Sequence, residues 1–127
     1  MDQESYVEIN AEQFKKFVQL PMNTPVVMLN LLRFKDKVSE TGLSGEAAYK
    51  EYMKQATPFF SKAGAEILYM GRPQTTLIGP ENEDLWDKML LVKYHTISGF
   101  LEMVQAEGYP ADLRKGALED SRLIHCE

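Results

Sequence analysis

The sequence is short of cysteine, histidine and tryptophan and has no long apolar segment. Its 127 residues include one cysteine, one tryptophan and two histidines. A single cysteine, Cys126, cannot form an intrachain disulfide, which favours a reducing, cytoplasmic location. No apolar run is long enough to cross a bilayer, and the polar start "MDQESYVEIN" contains no secretory signal. We therefore expect a cytoplasmic protein with no membrane partner.

Several kinds of chemistry lack the residues that they need. His95, His125 and Cys126 do not have the spacing of metal ligands, and we predict no metal and no cofactor. The loop "GLSGE" lacks the lysine and the spacing of a phosphate-binding loop. The net charge is −5, and lysine and arginine do not cluster with interleaved aromatic residues. This pattern argues against a nucleic-acid partner.

The sequence instead alternates apolar segments with polar loops at the lengths of helices and strands. We predict an N-terminal helical extension over residues 1–24 and one domain over residues 25–127. The first predicted element is a helix of about three turns, capped by Asn10 and ended by Pro21. It is followed by a strand at 26–34, a helix at 45–63 that is kinked or divided at Pro58, and a strand at 65–79 that is interrupted at 71–73. The remaining elements are a turn at 80–86, a strand at 87–95, a helix after Thr96 or Ser98, a helical turn after Pro110 and a strand at 119–126.

The order after the first helix is β-α-β-β-α-β. Right-handed crossovers then give an α+β, ferredoxin-like fold, with a four-stranded antiparallel sheet in the order 4-1-3-2 and both helices on one face. Because the strands are apolar on both sides, the other face needs a cover. We predict a homodimer that packs sheet to sheet as a shared barrel. The alternative is that the N-terminal helix covers this face.

The runs "VVMLNLLRF" and "ALEDSRLI" resemble a family of bacterial proteins grouped as domain of unknown function 1330 (DUF1330). The resemblance extends over residues 25–124. It implies the dimeric α/β-barrel superfamily, which contains cofactor-free monooxygenases, haem-degrading monooxygenases and muconolactone-type isomerases. Asn30 and Trp86 are similar to an asparagine and a tryptophan of the haem-degrading relatives, whose histidine has no counterpart here. The resemblance therefore implies a fold and a set of activities, without selecting one of them.

An amide lies in the middle of the first predicted strand. Asn30 there costs about 1–3 kcal/mol unless its polar atoms are hydrogen-bonded. The topology brings Tyr49 and Tyr52 near Asn30, and Arg114 reaches the same end of the sheet. We predict that Asn30 and Tyr52 are catalytic and that Tyr49 and Arg114 bind substrate.

The end of the same strand is predicted to contribute further groups. Arg33 should lie near Trp86 and Asp87 on one side and near Asp120 and Ser121 on the other. We add Arg33, Trp86, Asp120 and Ser121 to the predicted substrate-binding set, because polar groups that converge on an apolar wall are typical of a small-molecule site.

Each of these residues also has a structural interpretation. Asn30 is more often a hydrogen-bonded core amide than a catalytic group. Arg33 is expected to pair with Asp120 or Asp87 rather than to bind an anion. The tyrosines at helical spacing, and Trp86, are core residues in this interpretation.

Two functions follow from these interpretations. In the first, the protein is a cofactor-free monooxygenase or isomerase that acts on an aromatic or oxygenated small molecule, and Arg33 or Arg114 holds an anionic oxygen. No buried carboxylate is apparent as the proton acceptor. In the second, the chain is a non-catalytic ligand-binding or structural homodimer.

Overall fold

The computed structural model describes residues 5–81 and 85–127 of the chain. Its helices are α1 (Ala11–Phe17), α2 (Gly45–Lys62), α3 (Ile97–Gln105) and α4 (Ala111–Ala117), and its strands are β1 (Val26–Phe34), β2 (Glu66–Gly71), β3 (Lys88–Tyr94) and β4 (Leu118–Cys126). The predicted element order is confirmed, and the helical turn expected after Pro110 is α4. The predicted turn at 80–86 includes residues 82–84, which lie outside the described residues.

The strands form one antiparallel sheet in the order β2-β3-β1-β4. This is the predicted order 4-1-3-2 read from the other edge. Asn30, in the middle of β1, pairs with Leu90 of β3 and with Leu123 of β4. The α+β ferredoxin-like fold is therefore confirmed, with β1 and β3 as the central strands.

Polar side chains begin the helices at the predicted positions. The side chain of Ser44 accepts a hydrogen bond from the Ala47 backbone N–H at the start of α2, and Thr96 accepts one from Gly99 at the start of α3. Each of these bonds satisfies a donor that the first helical turn leaves free. Gly64, with φ of +67°, follows α2 as expected.

Three expected boundaries differ from the structure. Helix α1, capped by Asn10, ends at Phe17 rather than at Pro21, so it is shorter than the three turns predicted. Helix α2 is not divided at Pro58 and continues as one helix to Lys62. The strand expected over 65–79 ends at Gly71, and its register shift lies between Ile67 and Tyr69 rather than at 71–73.

The two faces of the sheet have different surroundings. On β1, Val26, Met28, Asn30 and Leu32 are buried, whereas the residues between them are only half-buried. Because side chains alternate across a strand, the buried set faces the helices. The core on this helix side contains residues from β1, β3, α2 and α3, among them Val26, Leu32, Tyr49, Tyr52, Ala56, Leu90, Val92, Ile97, Phe100 and Met103.

The opposite, open face of the sheet is apolar at its centre. One row of paired residues, which we call the cross-sheet row, runs over all four strands and consists of Tyr69, Leu91, Leu29 and Ile124. Helix α1 does not cover this row, because Phe17 of α1 packs against Phe100 on the helix side. The alternative that the N-terminal helix shields the open face is therefore wrong. Within the described part of the chain, no helix has the length and hydropathy needed to cross a membrane.

Candidate functional site

A cavity of about 1050 Å³ lies between the sheet and the helices. Its walls are mainly apolar and aromatic, with residues from β1, β3, α2, α3 and the N-terminal segment. Ala11, Phe14 and Lys15 of α1 form part of its boundary. A second cavity of about 770 Å³ lies beneath α1, and Phe100, Arg114 and Leu123 line both. The two cavities thus adjoin through shared lining residues, and together they are called the recess.

Asn30 lies on the floor of this recess and is only 8% exposed. Its side-chain oxygen accepts a hydrogen bond from Nη2 of Arg114 at 3.2 Å. Its amide nitrogen donates to the backbone oxygen of Met28 at a long 3.4 Å. Both polar atoms of the amide are therefore hydrogen-bonded, the nitrogen to the backbone of β1 and the oxygen to Arg114, which extends from α4.

Tyrosine hydroxyl groups form a second polar element of the recess. The hydroxyls of Tyr52 and Tyr109 share a hydrogen bond of 2.5 Å, and the rings of Tyr49 and Tyr52 lie 5.2 Å apart. Burial raises the pKa of Tyr49, Tyr52 and Tyr109. These phenols therefore stay protonated at neutral pH, and because one hydroxyl of the Tyr52–Tyr109 pair donates to the other, the pair has one proton left to donate to a ligand.

A separate polar cluster lies at the end of the open face. The Arg33 guanidinium stacks over the Trp86 ring at 4.7 Å, and Arg122 lies 5.1 Å from the same ring. Asp120 bonds Nη1 of Arg122 at 2.8 Å and approaches Nη1 of Arg33 at 4.0 Å. Its Oδ1 also accepts the Tyr6 backbone N–H at 2.8 Å. This cluster fastens the N-terminal segment to β4.

The predicted site residues thus fall into two groups. Asn30, Tyr49, Tyr52 and Arg114 lie together in the recess. Arg33, Trp86 and Asp120 lie in the cluster on the open face, so the structure does not bring them to Asn30. Ser121 lines the second cavity, and its hydroxyl donates to the Tyr6 backbone oxygen at 2.7 Å.

Two residues of these groups were not predicted from the sequence. Tyr109 follows α3 in an irregular segment, where helical spacing gives no signal for it. Arg122 lies two residues after Asp120 on β4, and the period of two along a strand would have placed both on one face. Asp87, considered as a partner of Arg33, accepts the Phe34 backbone N–H at 2.8 Å instead.

The recess contains few groups suited to accept a proton or bind a metal. The carboxylates that line it are Glu8 and Asp112, both exposed, and Glu8 pairs with Lys115. Within residues 5–81 and 85–127, no three histidine, cysteine or acidic side chains lie close enough to hold a metal ion. The described residues around Asn30 therefore supply hydrogen-bond donation and charge stabilisation, and the imidazole of His125 lines only the second cavity.

We expect Asp120→Asn to lower the free energy of unfolding at neutral pH by about 1–3 kcal/mol, because charge-assisted bonds to Arg122 and to backbone N–H groups are weakened. Burial alone would raise the pKa of Asp120, but the hydrogen bonds from Tyr6, Arg122 and Ser121 outweigh it and lower the pKa. The ionised carboxylate therefore stabilises the fold above its ordinary pKa of 3.8, and this contribution is lost as pH falls through the lower folded-state value.

Urea unfolding at several pH values measures this effect. The variant should approach wild-type stability as pH is lowered to about 3 and below. Glu119→Gln, at the exposed neighbouring carboxyl, is the matched control and should change stability by less than about 0.5 kcal/mol. An equal effect of the two substitutions would show that the cluster does not stabilise the fold.

Fold and recess define an α+β protein with a four-stranded antiparallel sheet and a tyrosine-lined cavity beneath its helices. The chain is similar to RPA0582, a protein of unknown function from Rhodopseudomonas palustris, at 29% identity and a TM-score of 0.85, with 97% of this chain and 96% of that chain covered. For methylated RPA0582 the identity is 28% and the TM-score 0.86, with coverage of 97% and 94%.

The chain is also similar to a hydroxynitrile lyase from Passiflora edulis, at 15% identity and a TM-score of 0.49, with 82% of this chain and 93% of that chain covered. No protein-family model and no curated protein matches the chain. The resemblance to DUF1330 stays a prediction.

Proposed function

We propose that this chain is a small-molecule-binding protein whose ligand occupies the recess between sheet and helices. The observation that supports it most directly is the pair of Asn30 and Arg114, joined at 3.2 Å on the floor of an otherwise apolar and aromatic cavity. Ligand sites commonly combine such walls with a few convergent polar groups. The volume of about 1050 Å³ is ample for a molecule of one or two rings.

The polar groups favour an oxygenated ligand. Arg114 and the protonated Tyr52–Tyr109 pair donate hydrogen bonds, and such donors stabilise negative charge on a carbonyl, enol or phenol oxygen. This is the charge that develops in a cofactor-free oxidation or isomerisation. Catalysis of that class is therefore the second candidate function, with Asn30 and Tyr52 in contact with the ligand.

Binding without turnover is the first candidate because it needs no proton acceptor. Glu8 and Asp112, the described carboxylates that line the recess, are exposed at its boundary rather than aimed at Asn30 from a buried position. A carboxylate in water is a weak base with an ordinary pKa of about 4. The donors of the recess can hold a ligand whether or not a base is present.

We also propose that two copies pack through the open face of the sheet. The cross-sheet row is apolar, and Leu77 and Ile78, in the segment after β2, are 91% and 97% exposed. Apolar residues this exposed, in a chain with an uncovered apolar sheet face, are typical of an interface. A second copy of the chain presents the same apolar face and is the simplest cover for it. A cytoplasmic location stays a prediction from the single cysteine.

Asn30→Leu tests the ligand site. The substitution removes the acceptor that orients Arg114, and we expect the affinity for bound ligands to fall by about tenfold or more. The fold should lose no more than about 1 kcal/mol, because leucine is apolar and the Met28 bond is long. The measurement is a thermal-shift screen of aromatic acids, quinones and lactones, followed by titration of the hits with wild type and variant.

Met28→Leu is the matched control for this test. Met28 lies two residues earlier on the same face of β1, is also buried, lines the second cavity but not the one that contains Asn30, and becomes the same side chain. It should leave the affinity within about twofold, since methionine and leucine have similar volumes. If Asn30→Leu binds the hits as tightly as Met28→Leu does, the ligand does not contact Asn30.

A further inference from the structure

Arg114 is the cation around which the polar end of the recess is built. It is half-buried on α4 and lines both cavities. It lines the first cavity together with Tyr49, Tyr52 and Tyr109, and its charge opposes the effect of burial on the pKa of these phenols. It donates a hydrogen bond to the neutral side chain of Asn30, and the neutral hydroxyl of Tyr49 is a further hydrogen-bond partner.

No carboxylate compensates this charge within the described residues. The ion pairs that these residues form involve Lys15, Arg33, Arg72, Lys115 and Arg122. Among residues 5–81 and 85–127, no carboxylate oxygen lies within 4.0 Å of the Arg114 guanidinium. A guanidinium partly removed from water without a counter-charge is unfavourable, and an anion bound beside it would relieve that cost.

The other charges of the recess lie at its boundary. Asp112 and Glu8 are exposed there, and the charge of Glu8 is met by its ion pair with Lys115. Lys15 and Lys54 are also exposed and line the same cavity. Acidic and basic groups are thus mixed at the rim, whereas the buried end has only the positive charge of Arg114 among the described residues.

The walls next to Arg114 suit an apolar body. Leu90 and Val92 of β3, with Phe100 and Met103 of α3, are buried residues that also line the cavity. The hydroxyl pair of Tyr52 and Tyr109 supplies a donor for one further oxygen. A ligand that fits these surroundings has a single acidic group at one end and a hydrocarbon or aromatic remainder.

We infer, building on the ligand site proposed above, that the ligand is a monoanionic organic acid whose acidic oxygens bind Arg114 and whose apolar body fills the recess. The neutral Asn30 holds the guanidinium in place and leaves its charge available. A planar guanidinium matches a carboxylate with two parallel hydrogen bonds, which a neutral amide or ester cannot reproduce.

Isothermal titration calorimetry of the full chain with matched acid and amide pairs tests this inference. The probes are benzoate, 2-naphthoate and decanoate, each paired with its primary amide, so that shape is conserved and charge is removed. We expect the best acid to bind about tenfold or more tightly than its amide. Arg114→Gln should abolish that preference, while Arg114→Lys, which keeps the charge but not the fork, should retain part of it.

Lys50→Gln is the matched control, because it removes a positive charge from an exposed position of α2 that does not line the recess. It should leave the acid preference within about twofold. Amides that bind as tightly as their acids, or a preference that survives Arg114→Gln, would overturn the inference and leave the proposed ligand site standing. Failure of both series to bind wild type would overturn the ligand site and the inference together.

Discussion

Gly45→Ala is expected to lower the free energy of unfolding by about 3 kcal/mol, although alanine is the better helix former. Gly45 is the first residue of α2 and is buried where three backbone segments meet. A Cβ placed there would clash with Lys35 O and would lie 2.5 Å from Lys35 N and 2.6 Å from Ala117 O. These are backbone atoms, so no side chain can rotate away to make room.

The same contacts join the ends of four elements. Gly45 N donates to Lys35 O at 2.8 Å, and Lys35 N donates to Ala117 O at 3.0 Å. The chain after β1, the start of α2 and the junction of α4 with β4 are thus held by two bonds. A shift of any one segment would also move α4, the helix that carries Arg114.

Gly116→Ala is the matched control, because Gly116 lies within α4 and its Cβ would meet nothing within 4 Å. There alanine should stabilise the protein by about 0.5–1 kcal/mol through its helix propensity. Urea unfolding of the two variants measures both effects. A Gly45→Ala variant as stable as wild type would show that the three segments can move apart at little cost.

If two copies pack as proposed, Leu29→Asp is expected to convert the proposed dimer into a monomer by raising its dissociation constant about 1000-fold or more, a change of about 4 kcal/mol. Leu29 is the central position of the cross-sheet row, between Leu91 and Ile124. In a two-fold symmetric dimer each substitution occurs twice, so two carboxylates would be buried without partners. Sedimentation velocity at micromolar concentration measures the outcome.

Gln55→Asp adds the same negative charge on the exposed surface of α2 and should leave the dimer intact. The Leu29→Asp monomer should keep the helical circular dichroism of the wild type, because its new charge faces water once the copies separate. Ile124→Asp, on the edge strand β4, gives an independent test at the end of the row. A monomeric wild type, or a Leu29→Asp variant that stays dimeric, would contradict packing through the open face.

The order and pairing of the strands were predictable because each apolar segment has a clear period and length. The apolar run at 26–34, broken only by Asn30 and Arg33, predicted the first strand, and Thr96 or Ser98 predicted the start of α3. The boundaries were harder to predict. Leu77 and Ile78 are apolar enough for a strand, but they follow Pro73 and pair with no described strand. Apolar character alone does not distinguish a strand of the sheet from an exposed apolar segment outside it.

The site was predictable in part. Topology correctly placed Tyr49, Tyr52 and Arg114 at Asn30, because it determines which ends of elements meet. The topology did not determine on which face of the sheet each side chain lies. Asn30 and Arg33 are three positions apart on one strand, which is an odd spacing, so their side chains point to opposite faces. This odd spacing can be read from the sequence, and it assigns Asn30 in the recess and Arg33 in the cluster to opposite faces of the sheet.

Helix α1 is the least stable boundary of the recess. It has seven residues and none of them is buried, and the packing of Phe17, the anchoring of Tyr6 and the ion pair of Glu8 with Lys115 keep it in place. A helix this short is marginal without tertiary support, and local unfolding there costs far less than unfolding the whole domain. Fraying of α1 would therefore give solvent and solutes a wider route to the half-buried Arg114 while the sheet and the long helix α2 stay folded.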